Sequence, residues 1–332
     1  MSTRAAARRP RRVRPLKVLL GVAGGFVALA VVAAAIFIFS LAHTYDSSRT
    51  TISDAFPVTA ARPPVSTGKA SGAVNILLLG TDVDAVDPES PQMAGKRESD
   101  TVMVVHVPAD RKHVYVMSIL RNSLVEVPGH GPQPINAAYA YGGGKLAVQT
   151  VEGLTGVRMD HVVVLSLSGL KGLTDALGGV TITTPHPLVG KDGDVFPAGT
   201  RKLDGTQALS FIRAGDFRAT GDGQRATAQE AYFRGVVGNA LSAKTLLDPV
   251  TISTVVSFLS PYLGADKSFD AATIGTLGFG LRGLHSNDIR IFRMPTSGVG
   301  ELDGASVVKL DQAGVSRVRE ALRTDTLVTV AP

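Results

Sequence analysis

The chain has 332 residues, 44% of them hydrophobic and 19% charged, with no cysteine and no tryptophan. It therefore has no disulfide, thiolate nucleophile or zinc–thiolate site. Of the formal net charge of +6, the seven residues Arg4, Arg8, Arg9, Arg11, Arg12, Arg14 and Lys17 supply +7, leaving −1 for everything after them, so the basic character reflects one tail and gives no support to nucleic-acid binding.

That tail, 1–17, carries no acidic residue, and Val18 to Leu41 is apolar apart from small residues and Ser40. Two dozen helical residues reach roughly 36 Å, enough for a hydrocarbon layer of ~30 Å. A cleaved signal peptide has an apolar region of only about 7–15 residues. Residues 18–42 thus read as one retained transmembrane helix. The excess of positive charge before it places 1–17 in the cytoplasm and the remainder outside, on the plasma membrane. Residues 43–71 are rich in Ser, Thr, Pro and Gly (Arg62-Pro63-Pro64, Ser66-Thr67-Gly68) and read as an extracytoplasmic linker with little packed structure. The folded domain is expected over 72–325.

Strands are expected at 74–80, 101–107, 113–119, 161–167 and 180–184 from β-branched runs bounded by turn residues. The near-continuous run His161-Val162-Val163-Val164-Leu165 suits a central strand covered on both faces. Helices are expected at 135–141, 144–154, 168–177, 205–213, 224–243, 249–260, 270–281 and 311–322. The fold class is α/β: a three-layer α/β/α sandwich with a mixed central sheet, preceded by the transmembrane helix.

Two carboxylates adjoin these strands. Asp82 ends Val74-Asn75-Ile76-Leu77-Leu78-Leu79-Gly80-Thr81-Asp82, and Asp100 opens Asp100-Thr101-Val102-Met103-Val104-Val105. An apolar strand ending in Gly-Thr-Asp delivers an acid to a sheet edge, where open α/β sheets place ligands. Two such acids suit a hard divalent cation, and the arginines that follow, Arg121, Arg213 and Arg225, can grip phosphate oxygens bidentately. In Leu203-Asp204-Gly205-Thr206-Gln207-Ala208-Leu209-Ser210-Phe211-Ile212-Arg213, burial of Leu209 and Ile212 leaves Arg213 emerging at a helix end. Arg225 and Gln229, four apart, share one helix face and can share one anion; the alternative is a solvated surface loop pairing Asp222 with Arg225. His106 and His161 alternate with strand valines and read as packed residues. Gly142-Gly143-Gly144-Lys145 lacks the spacing of a phosphate loop and reads as a helix-opening turn.

Asn75–Asp82, Glu98-Ser99-Asp100-Thr101, Ser118-Ile119-Leu120-Arg121, Ile135–Gly143, Asp175–Val180 and the stretch Leu203–Gln229 occur in the order seen in the LytR-CpsA-Psr (LCP) family, which the sequence resembles over about 74–240. The resemblance implies a membrane-anchored phosphotransferase that moves a glycopolymer from a polyprenyl-pyrophosphate carrier to peptidoglycan, assisted by Mg²⁺. It implies Asp82 and Asp100 as magnesium-associated residues; Asp82, Arg121 and Arg213 as catalytic; and Arg121, Arg213, Arg218, Asp222, Arg225 and Gln229 as pyrophosphate contacts. Asn122 replaces the family's aspartate after Arg121, Gly215 replaces the second arginine of its Arg-x-Arg (Arg218 lies nearby), and Ala228 replaces an arginine before Gln229. A non-catalytic polyprenyl-phosphate or wall-polymer binding protein and a polyprenyl-pyrophosphate pyrophosphatase stay open as alternatives.

Overall fold

A computed structural model describes residues 15–81, 99–190, 193–214, 221–240, 242, 245 and 248–331. The chain divides into two units, Met1–His43 and Thr44–Pro332. The first lies mostly in helix α1 (Pro15–Ser48), whose window Val31–Ser48 is long and apolar enough to cross a membrane.

The second unit is built on a seven-stranded sheet formed by β1 (Thr50–Ile52), β2 (Val74–Thr81), β3 (Ser99–Val107), β4 (Val114–Ile119), β5 (His161–Ser166), β6 (Leu263–Asp266) and β7 (Ile289–Arg293), in the spatial order β1-β6-β5-β2-β3-β4-β7. The sheet is mixed: β1–β6, β5–β2 and β4–β7 are parallel, and the other neighbours antiparallel. Each central strand is apolar on both faces, because helices cover both. One face carries Leu77, Leu79, Val102, Val104, Val162 and Val164, packed against α2 (Ala137–Thr155) and against the helix Gln312–Thr324 through Val148, Val151, Val318 and Leu322. The other carries Leu78, Met103 and Leu165 beneath α3 (Leu167–Ala176), α4 (Gly205–Ile212), α5 (Gly221–Ala240) and α6 (Pro249–Leu259). Helix α7 (Ala271–Gly280) follows, and Gln312–Thr324 is α8. The three-layer α/β/α class expected from the sequence is the observed one. Within α2, Gly142 and Gly143 leave helical geometry, Gly143 at φ 59°, which makes the glycine run the kink between the two expected helical segments.

Residues 43–71 correct the sequence reading. Far from being loosely packed, they close one edge of the domain: β1 extends the sheet, and Ile52 and Ala55 enter the core. Arg62 ion-pairs at 2.6 Å with Glu152, which is 1% exposed and would otherwise be an uncompensated buried charge. A composition of loop formers hid a few spaced apolar anchors too short to show periodicity. The two histidines are packed, as expected. His106 bonds Asn75 Oδ1 at 2.7 Å and Asp325 Oδ1 at 2.9 Å, and His161 pairs with the buried Asp266.

Candidate active site

The site forms where β2 and β3 end. Register along this pair runs Leu78↔Met103, Leu79↔Val102, Gly80↔Thr101 and then Thr81↔Ser99. Asp100 is the residue skipped, the extra member of a β-bulge, a device that re-aims a side chain off the ladder. Its Oδ1 accepts a hydrogen bond from Arg121 Nη1 at 3.0 Å and another from Arg225 Nη1 at 3.1 Å. Two guanidiniums thus share one carboxylate oxygen, with side chains only 15–25% exposed. Partial burial strengthens each of these charge-assisted bonds relative to a solvated pair. Arg225 does not occupy a solvated loop; its partner lies across the domain on β3.

Each arginine is seated by its element. Arg121 follows β4, where its carbonyl accepts from Asn136 N–H at 3.0 Å and so fixes it to the start of α2. The neighbouring Asn122 serves the backbone, its carbonyl accepting from Val308 N–H at 2.9 Å. Arg213 is the half-buried C-cap of α4. That helix starts at a capping box, Asp204 accepting from Gln207 N–H while Gln207 Oε1 accepts from Asp204 N–H. Asp175 Oδ1 accepts from Gly205 N–H at 2.8 Å. A Cβ at Gly205 would sit 2.5 Å from the Lys171 carbonyl, so glycine is needed there for α3 and α4 to meet. Burial raises the Asp175 carboxyl, but bonds from Lys171 and Gly205 outweigh it and hold it below its ordinary value.

Helix α5 carries a graded stripe. Arg225, Gln229, Tyr232, Phe233 and Val236 follow the i, i+4, i+7, i+8, i+11 spacing of one face. The stripe runs from a guanidinium through an amide to hydrocarbon over roughly 16 Å. Gln229 is 8% exposed, and its Nε2 has no hydrogen-bond partner among the described residues. An unsatisfied buried donor costs about 1–3 kcal/mol unless something accepts from it. Beyond Gln229 opens an apolar cavity of about 220 Å³, lined chiefly by Leu78, Met103, Leu165, Ile212, Phe233 and Val236. Tyr232 also lines it, its hydroxyl donating to the Leu170 carbonyl at 3.1 Å. Burial pushes that phenol up to about 12, so it stays neutral.

The structure therefore brings together Asp100, Arg121, Arg225 and Gln229, and sets Arg213 next to the cavity wall at Ile212. Asp82, Arg218 and the Asp222 side chain lie outside the described residues. Leu165 and Ile212 line the cavity, whereas Val102 and Val104 fill the opposite face and Phe211 packs beside Phe196. Met103, Tyr232, Phe233 and Val236 were not anticipated; the α5 members follow from extending the Arg225/Gln229 spacing two further turns.

Among the described residues, no group of three His, Asp or Glu side chains encloses a metal position. Mg²⁺ is commonly held by one or two carboxylates with substrate phosphates completing the shell. Asp100 supplies one such carboxylate among the described residues, and its Oδ1 already accepts from two guanidiniums.

The three-layer fold is shared with solved structures. The structure of TagV from Bacillus subtilis superposes with a TM-score of 0.62 at 22% identity, covering 78% of this chain and 99% of that one. The LytR-Csp2A-Psr enzyme from Actinomyces oris gives 0.61 at 18% identity over 82% and 95%. The LytR_cpsA_psr family model matches residues 35–324, and the chain belongs to that family. It is 31% identical over 232 residues to the probable cell wall biosynthesis protein LcpB of Corynebacterium glutamicum, aligning with 69% of this chain but only 54% of that protein. It is also 31% identical over 251 residues to the polyisoprenyl-teichoic acid–peptidoglycan teichoic acid transferase TagU of Enterococcus faecalis, covering 75% of this chain and 78% of that one.

Proposed function

We propose that this protein is a membrane-anchored phosphotransferase, its catalytic domain outside the cell, that moves a glycopolymer from a polyprenyl-pyrophosphate carrier onto peptidoglycan. The observation that carries this reading is the α5 stripe, which sets a charged end against Asp100 and Arg121 and an apolar end in the 220 Å³ cavity. That sequence of chemistries matches a diphosphate followed by an isoprenoid tail. Similarity to TagU supports the same class of donor and acceptor.

An exported enzyme has no ATP at hand, so the donor's phosphoanhydride bond supplies the driving force. Arg121, Arg213 and Arg225, with Arg218, align the diphosphate oxygens for in-line attack, and Gln229 Nε2 donates to one of them. Asp222, three residues before Arg225 in sequence, is assigned to the same headgroup. A sugar hydroxyl of peptidoglycan attacks the phosphorus that bears the glycopolymer. The new phosphodiester joins polymer to wall, the anhydride P–O bond breaks, and polyprenyl phosphate leaves. Asp82 and Asp100 would hold Mg²⁺, which when bound neutralises charge on the diphosphate oxygens.

The test is transfer by the anchored protein in vesicles holding a lipid-linked glycopolymer, with peptidoglycan supplied. Arg213→Ala should abolish polymer attachment while leaving the thermal midpoint in place; undiminished attachment would refute the assignment. Free polymer phosphate formed without acceptor would identify hydrolysis instead.

A further inference from the structure

The segment between Asp248 and Asp266, and again between Asp270 and Arg282, contains no charged residue. Part of it builds the cavity wall through Leu259 and Leu263. The rest, α7, buries no residue at all: Phe279 is 69% exposed and Ile274 is 37% exposed. Side chains added at Gly275 and Gly278 would meet nothing within 4 Å, so among the described residues none packs on that surface. A ten-residue helix containing Gly275, Gly278 and Gly280 is marginal in water without an apolar surface to lie on.

The place of α7 in the fold says what that surface is. Tyr45 OH donates to the Phe269 carbonyl at 3.0 Å, and Asp46 Oδ1 accepts from Ala271 N–H at 3.2 Å, at the first residue of α7. Arg49 Nη1 donates to the Asp266 carbonyl at 3.1 Å. Tyr45 and Asp46 lie in the last turn of the helix that holds the apolar span and Arg49 directly follows it, so the start of α7 is pinned within a few residues of the end of that span. At its other end Arg282 lays its guanidinium 4.1 Å over the Phe279 ring, the pairing of an aromatic and a cation that suits a headgroup layer.

We propose that α7, uncharged on every side, is an interfacial helix that sinks into the outer face of the same membrane that anchors the chain, immersing Ile274 and Phe279. It lies in the plane of the surface, with Arg282 and Lys267 at the level of the lipid phosphates. Such helices sink roughly 5–10 Å, to the boundary of headgroups and acyl chains. The continuous segment from cavity wall to α7 then forms a ramp by which a lipid tail passes from leaflet to cavity. The inference rests on the reading of residues 18–42 as a membrane span.

Because the chain has no cysteine, Ile274→Cys, Phe279→Cys and a control, Val299→Cys, each accept a single environment-sensitive fluorophore. Val299 is 57% exposed and lies in the hairpin after β7, at the sheet edge opposite β1. Full-length labelled chains are reconstituted in vesicles of phosphatidylethanolamine and phosphatidylglycerol containing spin-labelled quencher lipids. The expected result is a blue shift at 274 and 279, with stronger quenching by shallow than by deep spin labels, and neither effect at 299. Chains that float with the vesicles yet show equal, water-like emission at all three positions overturn the interfacial helix and leave the anchor standing. Concentration-dependent self-quenching at 279 without lipid quenching assigns the surface to a second copy and overturns it as well. Chains that do not float overturn both readings.

Discussion

The two faces of one sheet are finished differently. On the α2/α8 side, small and β-branched residues such as Ala147, Val148, Val151 and Val318 interdigitate with Leu77, Leu79 and Val104, and all are buried. On the α3–α6 side, strand residues just as apolar face helices that stand off and leave a hollow of about 220 Å³. The hollow opens to the surface, so its apolar lining stays exposed unless something covers it, and covering it is worth on the order of 25 cal/mol per Å². One face of the sheet is therefore closed by packing and the other left open.

The sharpest way to break that division is to truncate each face in turn. Leu77→Ala on the closed face should lower stability by about 2–5 kcal/mol, seen as a shifted denaturation midpoint, with transfer per folded molecule unchanged. On the binding side, Arg225→Ala should remove about 1.5–3 kcal/mol of phosphate contact, a tenfold or greater loss of transfer, while the denaturation midpoint barely moves because Asp100 keeps Arg121. Leu165→Phe should fill part of the hollow: stability holds or rises, and binding of a polyprenyl phosphate weakens in a fluorescence titration. A destabilised Leu165→Phe protein that still binds would erase the contrast between the faces.

The smallest effect expected concerns pH. Burial raises Asp266, but bonds from His161, Ser268 and Val162 N–H outweigh it and hold the carboxyl below its ordinary value. Burial likewise raises Asp325, and bonds from His106 and Ala109 N–H bring it down. A depressed carboxyl binds its proton more weakly folded than unfolded. It therefore adds stability that is complete above the ordinary carboxylate value of about 4 and is lost as pH falls below it. Asp325→Asn should flatten that acid limb in denaturation curves recorded across the range, and an unchanged limb would show that these acids do not set it.

Legibility in the sequence followed periodicity. The strands around Leu77, Val104 and Val163 and the helices from 135 onward announce themselves by pattern, and the layered class follows from them. Arg225 and Gln229 were readable as one face because helical spacing is a local property. The bulge that turns Asp100 toward two guanidiniums was not, since it depends on register with a partner strand. Nor could parity along β3 say that Met103 lines the hollow while Val102 and Val104 fill the core. That requires knowing which helices stand off. Residues 50–55 escaped notice for a related reason: Ile52 and Ala55 contribute to the core without a period long enough to detect.

The most direct test is a crystal structure of the protein with a polyprenyl-pyrophosphate analogue. The expected result places the diphosphate within hydrogen-bonding distance of Arg121, Arg213, Arg225 and Gln229, with the isoprenoid running between Met103 and Val236. A diphosphate bound away from these arginines, or a lipid that leaves the hollow empty, would contradict the assignment of this face as the donor site.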